Sequence, residues 1–256
     1  MAKLTTDRYY GAVAQATSEL AEVVPDTDTL RQVPTCPDWT FGHLVQHVGT
    51  AQRWATAIVE RRATDFVPFE TLDDRDSPDD PGKRADWLRE GAQRLIETVQ
   101  AAGPDAPVWT FVGPGDAAFW LRRMAHETSI HAMDGLLTAE RRVSLPADLA
   151  ADCISEGLDF FALAAAQGAR DLRGNGETLH FHSRDGWLGR DGEWFVRRTP
   201  EGIEWTHGHE KADVAVRGNA SDLALVLTRR VPLETAAVEV LGDRALFDHW
   251  LANTRF

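Results

Sequence analysis

The chain has 256 residues, 43% of them hydrophobic, and a formal net charge of −13. That apolar share builds a real core and argues against a disordered chain. The acidic balance argues against the basic surface that nucleic-acid phosphates or an anionic membrane require. Two cysteines, Cys36 and Cys153, are too few for a disulfide framework. With no signal-peptide pattern in MAKLTTDRYY and no run of about 18 uncharged apolar residues, a cytoplasmic protein is expected.

Along the chain, residues 6–24 carry Ala, Leu, Glu and Val at helical spacing. A turn at Pro25–Asp28 follows. The proline-containing stretch Val33–Thr40 ends in Thr40, an N-cap residue for a second helix over 41–63. The Asp-rich stretch 72–82 reads as a solvated loop; its spacing does not match a calcium loop. A third helix is expected over 83–101, then a Gly/Pro-rich break over 103–115 that holds Trp109 and Phe111. Asp116 caps a fourth helix running to about 140, and Pro146 opens a fifth over 145–169. After Gly174 and Gly176 the texture changes to short alternating runs over 178–182, 193–197, 202–206 and 212–216, which read as strands. Helical stretches at 221–228 and 244–252 close the chain. The expectation is an α+β protein of two domains, a helical bundle over 1–172 and a small α+β domain over 173–256.

The fourth helix carries the informative pattern. Trp120, Met124, Glu127, His131 and Asp134 follow steps of four and three and so share one face. Burying a lone carboxylate or imidazole is costly, and a metal ion removes both costs at once. Glu127 and His131, one turn apart, reach one ion from adjacent turns. On the second helix His47 lies at the edge of the apolar stripe of Leu44, Val48, Ala51, Ala55 and Ile58. His43 competes with it, although the helical phase favours His47. Two imidazoles and one carboxylate make a three-ligand site with open positions, the pattern of catalytic metal sites. The alternative is structural: Glu127 pairs with Arg123 four residues earlier, and the histidines are hydrogen-bonded core residues.

Pro34-Thr35-Cys36-Pro37-Asp38-Trp39-Thr40 followed by Leu44-Val45-Gln46-His47-Val48 resembles the opening motif of the maleylpyruvate isomerase family of mycothiol-dependent enzymes. The run Arg123–Asp134 resembles that family's second motif, and Val238–Leu246 its C-terminal end. The resemblance implies a DinB-like four-helix bundle with a metal site and a sterol-carrier-like C-terminal α+β domain. It also implies zinc or another divalent metal on His47, Glu127 and His131, in a bundle site that faces the C-terminal domain. Mycothiol is the implied cosubstrate, in an isomerase or S-transferase acting on a small electrophile.

An acidic substrate needs a cation, and Arg229, with Arg230, is the candidate for that catalytic role; a solvated helix end is the alternative. Asp134 is a candidate partner for His131, with a helix-surface aspartate as the alternative, and His126 is expected to point off the ligand face. Cys36 is expected to be structural. His180-x-His182 and His207-x-His209 each place two imidazoles on one strand face, a spacing that zinc sites also use. They rank below the bundle site. Two further readings stand beside the thiol-dependent enzyme: a thiol-independent metal-dependent hydrolase or oxygenase, and a non-catalytic small-molecule-binding protein. The expected partners are a small thiol and a small electrophile, with no nucleic acid and no membrane, and a monomer or small homo-oligomer.

Overall fold

A computed structural model describes residues 4–254, except for the side chain at position 170. The chain divides into two compact units, Leu4–Val143 and a second that begins at Ser144.

The first unit is a four-helix bundle. Helix α1 (Thr6–Val23) is capped by Thr5, whose hydroxyl accepts from the Arg8 amide. Helix α2 (Phe41–Glu60) starts at Thr40, as its sequence requires, and α3 (Pro81–Ala102) starts at Asp80 with proline in the first turn. Helix α4 (Ala117–Thr138) starts at Asp116, which accepts from the Phe119 amide at 2.9 Å. Helices α1 and α2 each pack on both α3 and α4. Close approach is set by glycine: a Cβ on Gly135 of α4 would stand 2.3 Å from Leu20, and one on Gly49 of α2 would meet the Trp87 ring at 2.0 Å. Trp87 in turn lies under the Arg53 guanidinium at 4.0 Å.

Two short antiparallel hairpins decorate the bundle: β1 (Gln32–Val33) with β2 (Cys36–Thr40), and β3 (Pro107–Thr110) with β4 (Gly113–Asp116). Both fall where the sequence reads as irregular chain, because prolines and glycines mask strands of two to five residues. The Asp-rich loop is tethered rather than merely solvated. Its Asp74 carbonyl accepts from Trp87 Nε1, and its Arg75 carbonyl accepts from Gln46 Nε2.

The second unit contains α5 (Ala147–Ala166), α6 (Ala220–Leu227), α7 (Arg244–Asn253) and a five-stranded sheet. The strands are β5 (Thr178–Ser183), β6 (Glu193–Arg198), β7 (Ile203–His207), β8 (Val214–Gly218) and β9 (Glu239–Gly242), in the order β7-β6-β5-β8-β9. Only the β5–β8 pair is parallel. Alternation sends Leu179, Phe181, Trp194, Val196, Val214 and Val216 into the core, each fully buried. Phe181 meets Phe247 and Trp250 of α7, and Trp194 Nε1 donates to Ser155 of α5.

The division between units falls at Val143/Ser144, not near residue 173. Helix α5, read from sequence as the last bundle helix, packs with α6 and β7 of the second unit, where Leu149, Ile154 and Leu158 are buried. Helical periodicity shows that a helix has an apolar face but not which core receives it. No helix among the described residues is long and apolar enough to cross a membrane.

Candidate functional site

The helical phase that set Glu127 and His131 in line with Trp120 and Met124 holds. Trp120, Met124, His131 and Asp134 are all buried, and Glu127 is half-buried. The two faces of α2 and α4 that carry histidine and glutamate meet. His47 Nε2 lies 2.8 Å from Glu127 Oε1, and His131 Nε2 lies 3.3 Å from the same oxygen. The other carboxylate oxygen, Oε2, accepts from Arg123 Nη2 at 2.6 Å. The structural alternative and the metal reading therefore use different oxygens of one side chain: Arg123 orients the carboxylate, and Oε1 is left to the imidazoles.

The two histidines of α2 have different surroundings. His43 is exposed and closes a capping box, with the Thr40 amide donating to His43 Nδ1 and the His43 amide donating to the Thr40 hydroxyl. Its ring is used at the helix end, while His47, one turn on, faces Glu127.

Of the two readings of Asp134, the structure has the partner of His131: its Oδ2 is 2.8 Å from His131 Nδ1. A carboxylate there holds the proton on Nδ1 and turns Nε2 toward Glu127. Asp134 is fully buried, and its other oxygen accepts from the Thr35 hydroxyl. Burial alone would push His131 down, but its hydrogen bonds to Asp134 and Glu127 raise it above its ordinary 6.5. For Glu127, burial pushes upward, yet hydrogen bonds from His131 and His47 and the Arg123 charge hold it well below 4.5.

The hairpin β1–β2 supplies what sequence reasoning missed. Trp39 stacks on His131 with ring centroids 5.6 Å apart and tilts against His47 at 4.7 Å. Thr35 and Cys36 both reach Asp134, the Cys36 thiol at 3.8 Å. The signal was present in the run Pro34–Thr40, where a tryptophan and two small polar residues precede the helix that carries His47. Cys36 is half-buried against this carboxylate. His126 points away from the ligands, fully buried, with its ring edge-on to Tyr9.

The donor set fits a divalent cation. His47, Glu127 and His131 each offer one ligand atom, and these atoms lie within 4.8 Å of one another. Two imidazoles and a carboxylate are a common set for zinc and iron(II). Cys36, His131 and Asp134 form an overlapping group within the same limit. Asp134 engages His131 Nδ1 while His131 Nε2 faces Glu127, so the Nε2-facing set is the better cradle.

Arg229, the candidate cation, belongs to the second unit. It follows α6 and its capping residue Thr228, at φ +62°, a left-handed position that glycine ordinarily fills. Its amide donates to the Val226 carbonyl and that of Arg230 to Leu225, at 2.9 and 2.7 Å, which closes the helix end. Arg230 is buried, with Nη1 donating to the Thr228 carbonyl.

Comparison with known proteins gives a consistent picture. The model of the mycothiol maleylpyruvate isomerase N-terminal domain matches residues 10–134, and that of the MDMPI C-terminal domain matches residues 148–249. Curated proteins yield no match. Two crystal structures of a mycothiol-dependent maleylpyruvate isomerase, one of them a point mutant, share the fold at TM-scores of 0.62 and 0.59. Each is 16% identical, with 93% of both chains covered. Matched in both of its units by the two domain models, the chain belongs to the mycothiol maleylpyruvate isomerase family.

Proposed function

We propose that the chain is a mycothiol-dependent metalloenzyme that isomerises a small cis-unsaturated carbonyl compound of the maleylpyruvate type. The observation that carries this reading is the convergence of His47 Nε2 and His131 Nε2 on Glu127 Oε1 in a member of this family. The two crystal structures that share the fold bear the name of that isomerase. A divalent ion, zinc above all, held by His47, Glu127 and His131 would supply a Lewis acid that keeps a small-molecule thiol deprotonated near neutral pH.

The chain's own residues do the rest. Arg123 fixes the Glu127 carboxylate, Asp134 fixes the His131 ring, and Trp39 limits the tilt of both imidazoles. In the reaction the thiolate adds to one carbon of the cis double bond and the electron pair moves onto the conjugated carbonyl. The former double bond, now single, rotates, and the pair returns as the thiolate leaves. No atom is gained or lost. We assign Arg229 as the cation that an acidic substrate requires, on the charge of its side chain alone, since its left-handed backbone is accounted for by the closure of α6. The reaction is assigned to the cytoplasm, where thiols stay reduced; both cysteines are free.

The test is turnover of maleylpyruvate by zinc-loaded protein with and without mycothiol, read by absorbance and by mass spectrometry. Thiol-dependent isomerisation is expected. A stable thiol adduct as the end product would make the enzyme an S-transferase, and turnover that is unchanged without thiol would overturn the thiol-dependent reading.

A further inference from the structure

A second group of metal-ligating side chains lies in the other unit, on the sheet face opposite the buried one. His180 and His182, two residues apart on β5, point to that face, and Glu193 of β6 pairs directly across from His182. Beyond β7 the chain turns at Gly208, whose φ of +153° only glycine adopts readily, and delivers His209 to the same place. His180 Nε2, His182 Nδ1 and His209 Nδ1 stand 2.9, 3.2 and 2.7 Å from one atom, Glu193 Oε2.

One carboxylate oxygen offers about two lone-pair directions, so three imidazoles oversubscribe it. The shortfall shows at His182, whose Nδ1 is buried and makes no hydrogen bond despite its 3.2 Å approach. The three rings stand mutually edge-on, with centroids 5.0–5.8 Å apart, so that each turns a nitrogen inward. The four ligand atoms lie within 4.8 Å of one another, compact enough to close on a cation with metal–nitrogen bonds of about 2.0–2.1 Å. The sequence pairing of His207 with His209 does not hold: β7 ends at His207, whose Nδ1 donates to the Glu193 carbonyl instead. Three of the four ligands are thus set by rigid strands, and the fourth, His209, is 71% exposed at the mouth of an open cleft of about 650 Å³.

We propose that His180, His182, Glu193 and His209 form a second metal site, for zinc or a similar divalent transition ion, separate from the bundle site. Four protein ligands fill a tetrahedral shell, so the site is structural in type. It fastens the segment after β7 to the β5–β6 hairpin, since His209 is the one ligand that comes from outside those two strands.

The experiment measures zinc per chain and zinc affinity, by metal analysis and competition with a chromophoric chelator, on the full chain and on the His47→Ala and His209→Ala variants. His209 is exposed, so its loss leaves the fold intact, and circular dichroism checks this. The expected result is two zinc ions per parent chain and one in each variant. His209→Ala should lose the sheet-site ion or bind it on the order of 100-fold more weakly. A parent chain with one ion that disappears in His209→Ala would uphold this site and overturn the bundle site. If His209→Ala holds as much zinc as the parent, with the same affinity, the sheet site is overturned. Glu193→Gln, which keeps the shape of the side chain and removes its charge, must give the same answer as His209→Ala.

Discussion

Asp134 and His131, three residues apart on α4, are joined by a 2.8 Å contact between Oδ2 and Nδ1, with Asp134 fully buried. That contact fixes which imidazole nitrogen faces Glu127. Asp134→Asn keeps the volume but no longer demands a proton on Nδ1, so a fraction of the rings carry it on Nε2 instead. Zinc affinity at the bundle site should fall by about 10–100-fold with the fold retained. A chelator titration of a variant whose second site is disabled by His209→Ala reads it directly. Unchanged affinity would mean that Asp134 only packs.

The two histidines of α2 make a paired test. His47→Ala removes a ligand and should abolish both bundle-site metal and thiol-dependent turnover. His43→Ala removes only the return half of the capping box. It should leave metal and turnover intact while lowering stability by less than the roughly 1 kcal/mol expected of Thr40→Ala, which removes the cap itself. Thermal denaturation beside metal analysis separates the two effects, and loss of metal in His43→Ala would reverse the ligand assignment.

How far the sequence carries the structure is visible in these same residues. The step pattern of α4 was enough to put Glu127, His131 and Asp134 on one buried face, because a helix of 22 residues averages over local irregularity. Four of the five strands of the large sheet also stand where alternation placed them. The hairpin of β1 and β2 was not legible: two and five residues with two prolines carry no periodic signal, yet it brings Trp39 onto both histidines. Nor was the convergence of His180, His182, Glu193 and His209, since it depends on strand register and on the turn at Gly208, both of which are long-range outcomes. The placement of α5 failed for a related reason, because its partners α6 and β7 lie more than thirty residues further along the chain.

The pH dependence of the bundle should change sign with metal. In the metal-free chain His131 is raised above 6.5 by Asp134 and Glu127, against the pull of burial. Its contribution is complete below 6.5 and is lost as pH rises through the folded value. Glu127 is held well below 4.5, so its contribution is present above 4.5 and lost only as pH falls through its lower folded value. Metal-free protein should therefore lose stability as pH rises past 6.5. Metal requires His131 neutral on Nε2, so binding releases a proton and strengthens over the same interval. Urea denaturation from pH 6 upward, with the sheet site disabled by His209→Ala and with and without zinc, should give opposite slopes. Parallel slopes would show that His131 and the metal do not compete for the same nitrogen.

Arg229 allows backbone strain and side-chain function to be separated. At φ +62° an arginine stands where glycine is at ease. Arg229→Gly relieves that strain, whereas Arg229→Ala keeps it, so the glycine variant should be the more stable of the two by about 1 kcal/mol. If the side chain serves an anionic substrate, both variants should lose activity alike. Loss of a charge-assisted hydrogen bond worth about 1.5–3 kcal/mol corresponds to a roughly 10- to 150-fold fall in kcat/KM, carried mainly by KM. A merely structural arginine predicts the reverse pattern, in which stability differs between the variants while both turn over like the parent. Full activity in Arg229→Gly would therefore remove this residue from the reaction and leave the need for a cation to be met elsewhere.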